Sequence, residues 1–368
     1  MWKQSSLHRF MPLASYRYDT TIVGPEKLAS PPVLPVLGEL VRDKDIGFYL
    51  YQMVFRDLSG NLRQFEGVFG ILELSHSDHH SPDFYANNVD PSSSDHLLAH
   101  EHTIASGTEM TSDDFNSTIS RPGTGPVWGI SIQNLIKADT IKRGQSLSSV
   151  IDGSGTTHKI WQITAKEDQL RIKSAVGHSQ LIIADGHHRI ARAYKRLAMA
   201  HTGNTVRLPC FVTDFDSLQA EIRPIHRCFK TQLENDEVMT RLQQNFNVKR
   251  YGNTSDTSFH DAHALVVLFR KSAFTVNQFD GDKQTNDAVL SQTIAKVVGA
   301  RSTQYFTDIE KLRERVNSDP TKIGLVNRPL TLDQIRLAAL SKSPLPPKST
   351  MFYPKPLPGL IFGDRLHL

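Results

Sequence analysis

A chain of 368 residues with 39% hydrophobic and 22% charged side chains is long enough for about two domains of an ordinary globular protein. Forty-two Lys and Arg against 38 Asp and Glu leave a net charge of +4, too thin over this length for a nucleic-acid footprint and compatible with a small anionic ligand. With no run of about 18 apolar residues, no apolar leader in its first twenty residues and only Cys210 and Cys228 as cysteines, the sequence excludes an ordinary membrane span, a disulfide framework and a zinc cage; the expected compartment is the cytoplasm.

Residues 1–45 read as irregular, because Pro25 and the cluster Pro31, Pro32 and Pro35 interrupt any period. Phe48–Phe55 and Gln64–Leu74 are rich in β-branched and aromatic residues and flank Asp57-Leu58-Ser59-Gly60-Asn61, which predicts an antiparallel hairpin. Ser75–His96 is polar, and the irregular spacing of His76, His79, His80 and His96 reads as a surface loop in preference to a metal tract. After the turn-forming Arg121–Pro126, strands are expected at Val127–Ile132, Lys159–Thr164 and Leu170–Ile172.

Gln180–Ala184 is a short apolar strand, Asp185-Gly186 a turn, and His188 to about His201 a helix closed by Gly203. Ile190, Ala193, Tyr194, Leu197 and Ala198 fall on one face of that helix, and Arg189, Arg192 and Arg196 on another. Leu208–Thr213 returns as a strand. Beyond His226-Arg227, a helix near Asn235–Asn247, a strand at Ala264–Phe269 and a helix near Asp287–Val298 predict a second α/β lobe. A final helix starts at Thr331, which has capping-box spacing to Gln334, and ends before Pro344; the proline-rich stretch Leu345–Lys355 is stiff. The expected fold is mixed α+β, with one lobe over 1–230 carrying the Asp185 turn and an α/β lobe over 231–368 carrying the tail.

Three strings carry chemistry. At the turn, a helix N-terminus presents backbone N–H groups and the positive end of the macrodipole to an anion. Gly186 lets backbone approach closely, Arg189 supplies a planar fork of donors, and His187 and His188 add donors that titrate near neutrality. Asp185 then holds a magnesium ion, caps the helix or accepts a proton. Spacing alone leaves a plainer arrangement equally open, with Asp185 as a cap and the other side chains solvated. His100-Glu101-His102-Thr103 sets a carboxylate between two imidazoles and ahead of a hydroxyl, which suits a general base or a solvated loop; it lacks the helical zinc spacing. In the tail, Lys348, Ser349 and Lys355 interleave with Phe352 and Tyr353, a pattern that stacks a base and holds phosphates, or packs its aromatics and extends its lysines.

In their order these strings resemble the prokaryotic family catalogued as domain of unknown function number 1015. The resemblance rests on His100-Glu101-x-Thr103, Gly125-Pro126-Val127, His158-x-x-Trp161, Ile183 through Arg189, His226-Arg227, and the tail Pro346-Pro347-Lys348-Ser349-Thr350 through Pro354-Lys355 and Gly359-Leu360. More remotely, the turn is similar to the nucleotide-handling turn of the ParB and sulfiredoxin superfamily, which includes free serine kinases. What this implies is a ParB/sulfiredoxin-like first lobe, phosphate binding at Gly186 to Arg189, and an acidic residue from an upstream loop near the hydroxyl of a serine-like metabolite. Two departures stand out. The family's Pro-Tyr-Asp segment survives only as Arg17-Tyr18-Asp19, and a charged string after the His-Glu motif is replaced by Thr108-Glu109-Met110-Thr111-Ser112. The second departure implies a changed substrate or lost activity.

The reading that follows is a phosphotransfer enzyme, a small-molecule kinase or phosphatase, acting on a hydroxylated metabolite such as serine or phosphoserine. Glu101, Asp185 and His187 are its catalytic candidates. Gly186, His188, Arg189, His100, Thr103, Lys348, Ser349 and Lys355 are its phosphate- or nucleotide-binding candidates, with ATP or ADP as nucleotide and magnesium at Asp185. The alternative is a non-catalytic nucleotide or phosphometabolite sensor using the same turn. The expected partner is therefore a small phosphate-bearing molecule; DNA ranks last, for want of a helix-turn-helix pair or a basic stripe.

Overall fold

The computed structural model describes residues 9–29, 38–75, 96–104, 125–133, 141–199, 205–254, 259, 263–278 and 286–362. Several expectations lie outside these residues: His76, His79 and His80, the 108–112 string, Arg121 to Thr124, and the helix closure at Gly203. The chain divides into two units. Unit one takes in Met1–Glu221, Ala338–Pro344 and Phe352–Leu368; unit two takes in Ile222–Leu337 and Leu345–Met351.

Unit one begins with β1 (Arg9–Met11), β2 (Tyr16–Tyr18), α1 (Pro25–Ala29) and β3 (Leu40–Arg42), followed by the long strands β4 (Phe48–Arg56) and β5 (Leu62–Ser75). Then come β6 (Leu97–Ala99), β7 (Val127–Ser131), β8 (Ser148–Ile151), β9 (Thr157–Ile163), α2 (Lys166–Gly177), β10 (Leu181–Asp185), α3 (His187–Met199) and β11 (Thr205–Asp214). Nine strands form a mixed sheet in the order β6-β10-β7-β11-β5-β4-β9-β8, with β1 added alongside β5. β5 is long enough to take β4 along Leu62–Phe69 and β1 along Ile71–Glu73. The parallel pairs are β10 with β6 and β11 with β7.

Alternation along these strands separates two layers. Leu50, Val127, Cys210 and Val212 join Ile172 and Val176 of α2 and Ile190, Ala193, Tyr194 and Leu197 of α3 in one core. Their neighbours Tyr51, Trp128 and Phe211 belong to the other layer, where rings of Phe55, Phe65 and Phe352 also pack. The predicted hairpin, the strand before the turn and the face of α3 are present as read.

Two local expectations are corrected. Leu170–Ile172 is not a strand but lies within α2, whose first turn carries Glu167 and Asp168 and whose Ile172 and Val176 are buried four residues apart. A three-residue apolar run has no period of its own, so the surrounding helical spacing decides. The N-terminal segment is also less irregular than its prolines imply. Within it Phe10, Tyr18 and Leu28 are fully buried, and β1 completes a sheet edge that only tertiary pairing reveals.

The chain leaves unit one within β12 (Glu221–Pro224). Unit two contains β13 (His226–Lys230), α4 (Asn235–Asn245), β14 (Asn247–Gly252), β15 (Leu265–Leu268), β16 (Ala273–Asn277), α5 (Asp287–Val297), β17 (Ser302–Phe306), α6 (Ile309–Asn317) and β18 (Lys322–Val326). Its six-stranded sheet, β14-β16-β15-β18-β13-β17, is antiparallel throughout. Leu265 and Val267 pack with Val238 and Leu242 of α4 and Leu290 and Ile294 of α5. Val266 and Leu268 pack with Leu312 and Val316 of α6, so each face of β15 is covered by helix. α7 (Leu332–Leu340) starts in the reciprocal cap read from the sequence: Gln334 Oε1 accepts from Thr331 N at 2.9 Å, and Thr331 Oγ1 accepts from Gln334 N at 3.2 Å. β19 (Thr350–Tyr353) leads back into unit one, where a single 3-10 turn follows at Pro358–Leu360.

Candidate functional site

Unit one's turn is built by a register break. β10 pairs with β7 at Ile183↔Gly129 and then at Asp185↔Trp128, leaving Ala184 as a bulge that re-aims Asp185 at the strand end. Gly186 follows with φ +102°, and its carbonyl accepts the first helical bonds from Arg189 N and Ile190 N. A Cβ on Gly186 would stand 3.0–3.2 Å from three guanidinium atoms of Arg189. Glycine is thus required twice, by the backbone and by the side chain folded over it.

That folding brings charge together. Arg189 Nη2 donates to Asp185 Oδ2 at 2.5 Å, and Lys355 Nζ donates to Asp185 Oδ1 at 2.5 Å from 170 residues away in sequence. One carboxylate therefore holds two cations. Arg189's other terminal nitrogen, Nη1, is buried and has no hydrogen-bond partner among the described residues. It faces Gly125, whose Cβ would lie 3.8 Å away, beside Pro358. Burial is the largest influence on the guanidinium and lowers its pKa, with Asp185 pulling the other way.

The His100–Ile104 segment lies against the same turn. His100 is fully buried, its Nδ1 donating to the Ile183 carbonyl at 2.8 Å and its ring meeting that of His187 edge-on at 4.7 Å. Burial pushes its pKa down to about 4, so it is a neutral support. Glu101 is 8% exposed, and its Oε1 stands 3.9 Å from Nδ1 of the buried His187, an ion-pair distance when His187 is protonated. His188 Nε2 accepts from Ile104 N at 3.0 Å, which makes Nδ1 the protonated nitrogen of the neutral ring and fastens the segment to α3. Thr103 is half-buried in this segment. The turn thus gathers His100, Glu101, Asp185, Gly186, His187, His188, Arg189 and Lys355.

Lys348 and Ser349 belong to unit two. Lys348 has φ +57°, and Ser349 Oγ donates to Pro346 O at 2.5 Å, closing a turn whose Pro347 carbonyl accepts from Arg227 Nη2 at 3.3 Å. The His226-Arg227 and Pro346–Ser349 strings therefore meet each other there.

A sequence model of the family described as "Protein of unknown function (DUF1015)" matches residues 37–298. The chain belongs to this family. No curated protein matches it. Solved structures similar to this DUF1015 protein include free serine kinase in complex with AMP, with TM-score 0.40 and 15% identity over 73% of this chain and 88% of that one. Others are a conserved hypothetical protein from Pyrococcus furiosus, with TM-score 0.39 and 14% identity over 73% and 91% of the two chains, and C-terminally truncated SbnI from Staphylococcus aureus, with TM-score 0.41 and 12% identity over 75% and 86%.

The donor set of this DUF1015 protein does not fit a magnesium ion held by protein groups at Asp185. Both Asp185 oxygens accept from cations, and the described residues contain no group of three His, Cys, Asp or Glu able to hold a metal. The two cysteines are free and buried; burial pushes the Cys210 thiol up to about 12, which disfavours the thiolate. Among the described residues no helix is long and apolar enough to cross a membrane.

Sequence reading gave no role to a second cluster of unit one, around Tyr51, Asp152 and His158. His158 stood in the family-like string and carried the only signal; Tyr51 sits in an unremarkable apolar strand and Asp152 in an ordinary turn.

Proposed function

We propose that the Asp185–Arg189 turn binds the phosphate of a nucleotide and that the protein transfers a phosphoryl group between it and a small hydroxylated metabolite of the serine type. One observation carries this reading: the single carboxylate of Asp185 is shared by Arg189 and Lys355, while Arg189 Nη1 is a buried donor with no partner among the described residues. Two cations share that carboxylate, and neither bond uses Nη1. A buried, preorganised guanidinium nitrogen costs free energy until an acceptor reaches it. A phosphate oxygen is such an acceptor.

Phosphoryl transfer is mostly positioning and charge neutralisation, which Arg189, Lys355 and the N-terminal amides of α3 are suited to provide. In the kinase direction the metabolite hydroxyl oxygen bonds to the terminal phosphorus, the bond from phosphorus to the bridging oxygen of the nucleotide breaks, and the hydroxyl proton passes to Glu101. His187 beside Glu101 orients that carboxylate. His100 and His188 hold the segment in place, with Thr103 next to it, and Gly186 lets the guanidinium lie close. Lys348 and Ser349 form a turn of their own in unit two, where Ser349 Oγ closes on Pro346 O, and no step of this reading uses them. A magnesium ion, where present, arrives with the nucleotide phosphates.

The test is a thermal-shift series with ATP, ADP, serine and phosphoserine, with and without magnesium, followed by phosphorus NMR of the mixtures. A ligand at about 100 times its Kd adds roughly 2.7 kcal/mol to the native state, a readily measured shift. Glu101→Gln is expected to keep the shift and lose turnover; Arg189→Ala is expected to lose the shift. Binding without turnover in the native chain, unaffected by Glu101→Gln, establishes the sensor reading instead. No shift with any ligand overturns both.

A further inference from the structure

Lys355 is the half of the cation pair that comes from a distant part of the chain, and its placement has a cause. It lies on the 352–362 strap of unit one, between two anchored neighbours. On one side Tyr353 Oη donates to Ser154 Oγ at 2.8 Å, and Ser154 Oγ donates to Asp152 Oδ1 at 2.7 Å. On the other side Leu357 N donates to Tyr51 Oη at 2.9 Å, Tyr51 Oη is 2.9 Å from His158 Nδ1, and His158 Nε2 is 3.2 Å from Asp152 Oδ2. Both anchors end on the same carboxylate.

The direction of every bond in this ring follows from chemistry. Asp152 accepts only, so His158 Nε2 carries the proton and Nδ1 is an acceptor. Tyr51 must then donate to Nδ1, and its oxygen is left to accept from Leu357 N. Tyr51 and His158 are buried, so the chain cannot be replaced by water at no cost. Asp152 Oδ1 also accepts from Ser154 N at 2.8 Å and Thr156 N at 3.0 Å, which fixes the carboxylate at the root of the ring. Further along the strap, a Cβ on Gly359 would stand 2.7 Å from the Leu28 backbone, and Phe362 N donates to Tyr16 O at 2.7 Å.

We propose that Asp152, His158 and Tyr51 are positioning residues for Lys355: through the hydrogen bonds flanking it they hold its ammonium on Asp185 and so set the second cation of the site. The value of that cation to phosphate binding rests on the function proposed above; its placement does not.

The experiment reads placement directly. The full chain is treated with limiting acetic anhydride, and acetylation at Lys355 is measured by mass spectrometry against Lys173, an exposed residue of α2 that is not a member of the ring. An ammonium donating to a carboxylate acylates only after leaving it. Tyr51→Phe and Tyr353→Phe each remove one anchor, and each is expected to raise the Lys355 to Lys173 ratio at least threefold, with their combination raising it further. His158→Asn, which offers an acceptor oxygen near the Nδ1 position, is expected to stay closer to the native ratio than His158→Leu.

Because Tyr353 is only half-buried, Tyr353→Phe serves if Tyr51→Phe does not fold. An unchanged ratio in a folded Tyr51→Phe or Tyr353→Phe chain overturns the proposal. ATP affinity is measured in parallel with Lys355→Met. A raised acetylation ratio without any ATP binding sinks the phosphate reading and leaves the positioning intact.

Discussion

Asp185 and Asp152 are both carboxylates of unit one that hold distant pieces of chain, yet they are satisfied in opposite ways. Asp152 takes hydrogen bonds from two backbone amides, a hydroxyl and a neutral imidazole. Asp185 takes them from a guanidinium and an ammonium. Neutral donors leave the ring around Asp152 with the charge of one carboxylate and no spare donor, which is the composition of an anchor. Charged donors leave Asp185 shared between two cations and a buried Nη1 without a hydrogen-bond partner among the described residues, which is the composition of a binding site.

The largest expected effect separates the buried histidines of the two regions. Burial lowers the pKa of His100 at the turn to about 4 against the Ile183 carbonyl and Asp185, and it lowers that of His158 as well, against the bond to Asp152. A folded pKa below the unfolded value of 6.5 means that stability is full above pH 6.5 and is lost as pH falls towards 4. The unfolded chain binds the proton first. For His100 the loss by pH 4 is about 3 kcal/mol. His100→Asn keeps a donor to Ile183 and cannot titrate, so urea melts from pH 7 to 4 should flatten by about that amount, and by less in His158→Asn. Equal flattening in both variants removes the electrostatic distinction between the regions.

Next comes Arg189→Ala. Loss of the charge-assisted bond from Nη1 together with the guanidinium's charge should weaken ATP on the order of 100-fold, read by calorimetry. Asp152→Ala should instead show mainly as stability, about 2 kcal/mol from the orphaned Thr156 N and His158 Nε2, with a smaller loss of ATP affinity acting through Lys355. A larger affinity loss in Asp152→Ala than in Arg189→Ala inverts the assignment of anchor and site.

These regions also mark how far the sequence could be read. The turn was legible because strand, glycine and helix follow one another within Leu181–Met199, and the apolar face of α3 announces itself by period, while the bulge at Ala184 shows only in the strand pairing. The ring around Asp152 was not, because it closes through residues at 51, 152, 154, 158, 353 and 357, and hydroxyls, an imidazole and a backbone amide have no joint spacing to detect. Lys355 was legible only as part of a basic, aromatic tail; that it meets Asp185 depends on the strap. In unit two the same limit hid β17, whose Ser-Thr-Gln-Tyr-Phe is exposed nearly throughout and shows no alternation, while the buried β15 and the amphipathic α4 were found. Leu170 illustrates the remaining kind of error, an exposed apolar residue mistaken for a strand position inside a helix.

The smallest effect is the sharpest test of the contrast between the two carboxylates. If Asp185 occupies the two cations in place of a phosphate, it competes with any incoming anion for them. Asp185→Asn retains the shape and an acceptor oxygen but removes the competing charge, so inorganic phosphate or pyrophosphate should bind about fivefold more tightly, near 1 kcal/mol. The gain should shrink with added salt, since half-exposed charges are screened over about 8–10 Å at moderate ionic strength. Asp152→Asn has no such cation pair to release and should not tighten phosphate at any salt concentration. Tighter phosphate in Asp152→Asn, or weaker phosphate in Asp185→Asn, means that Asp185 orders the cations for the ligand and does not stand in for it.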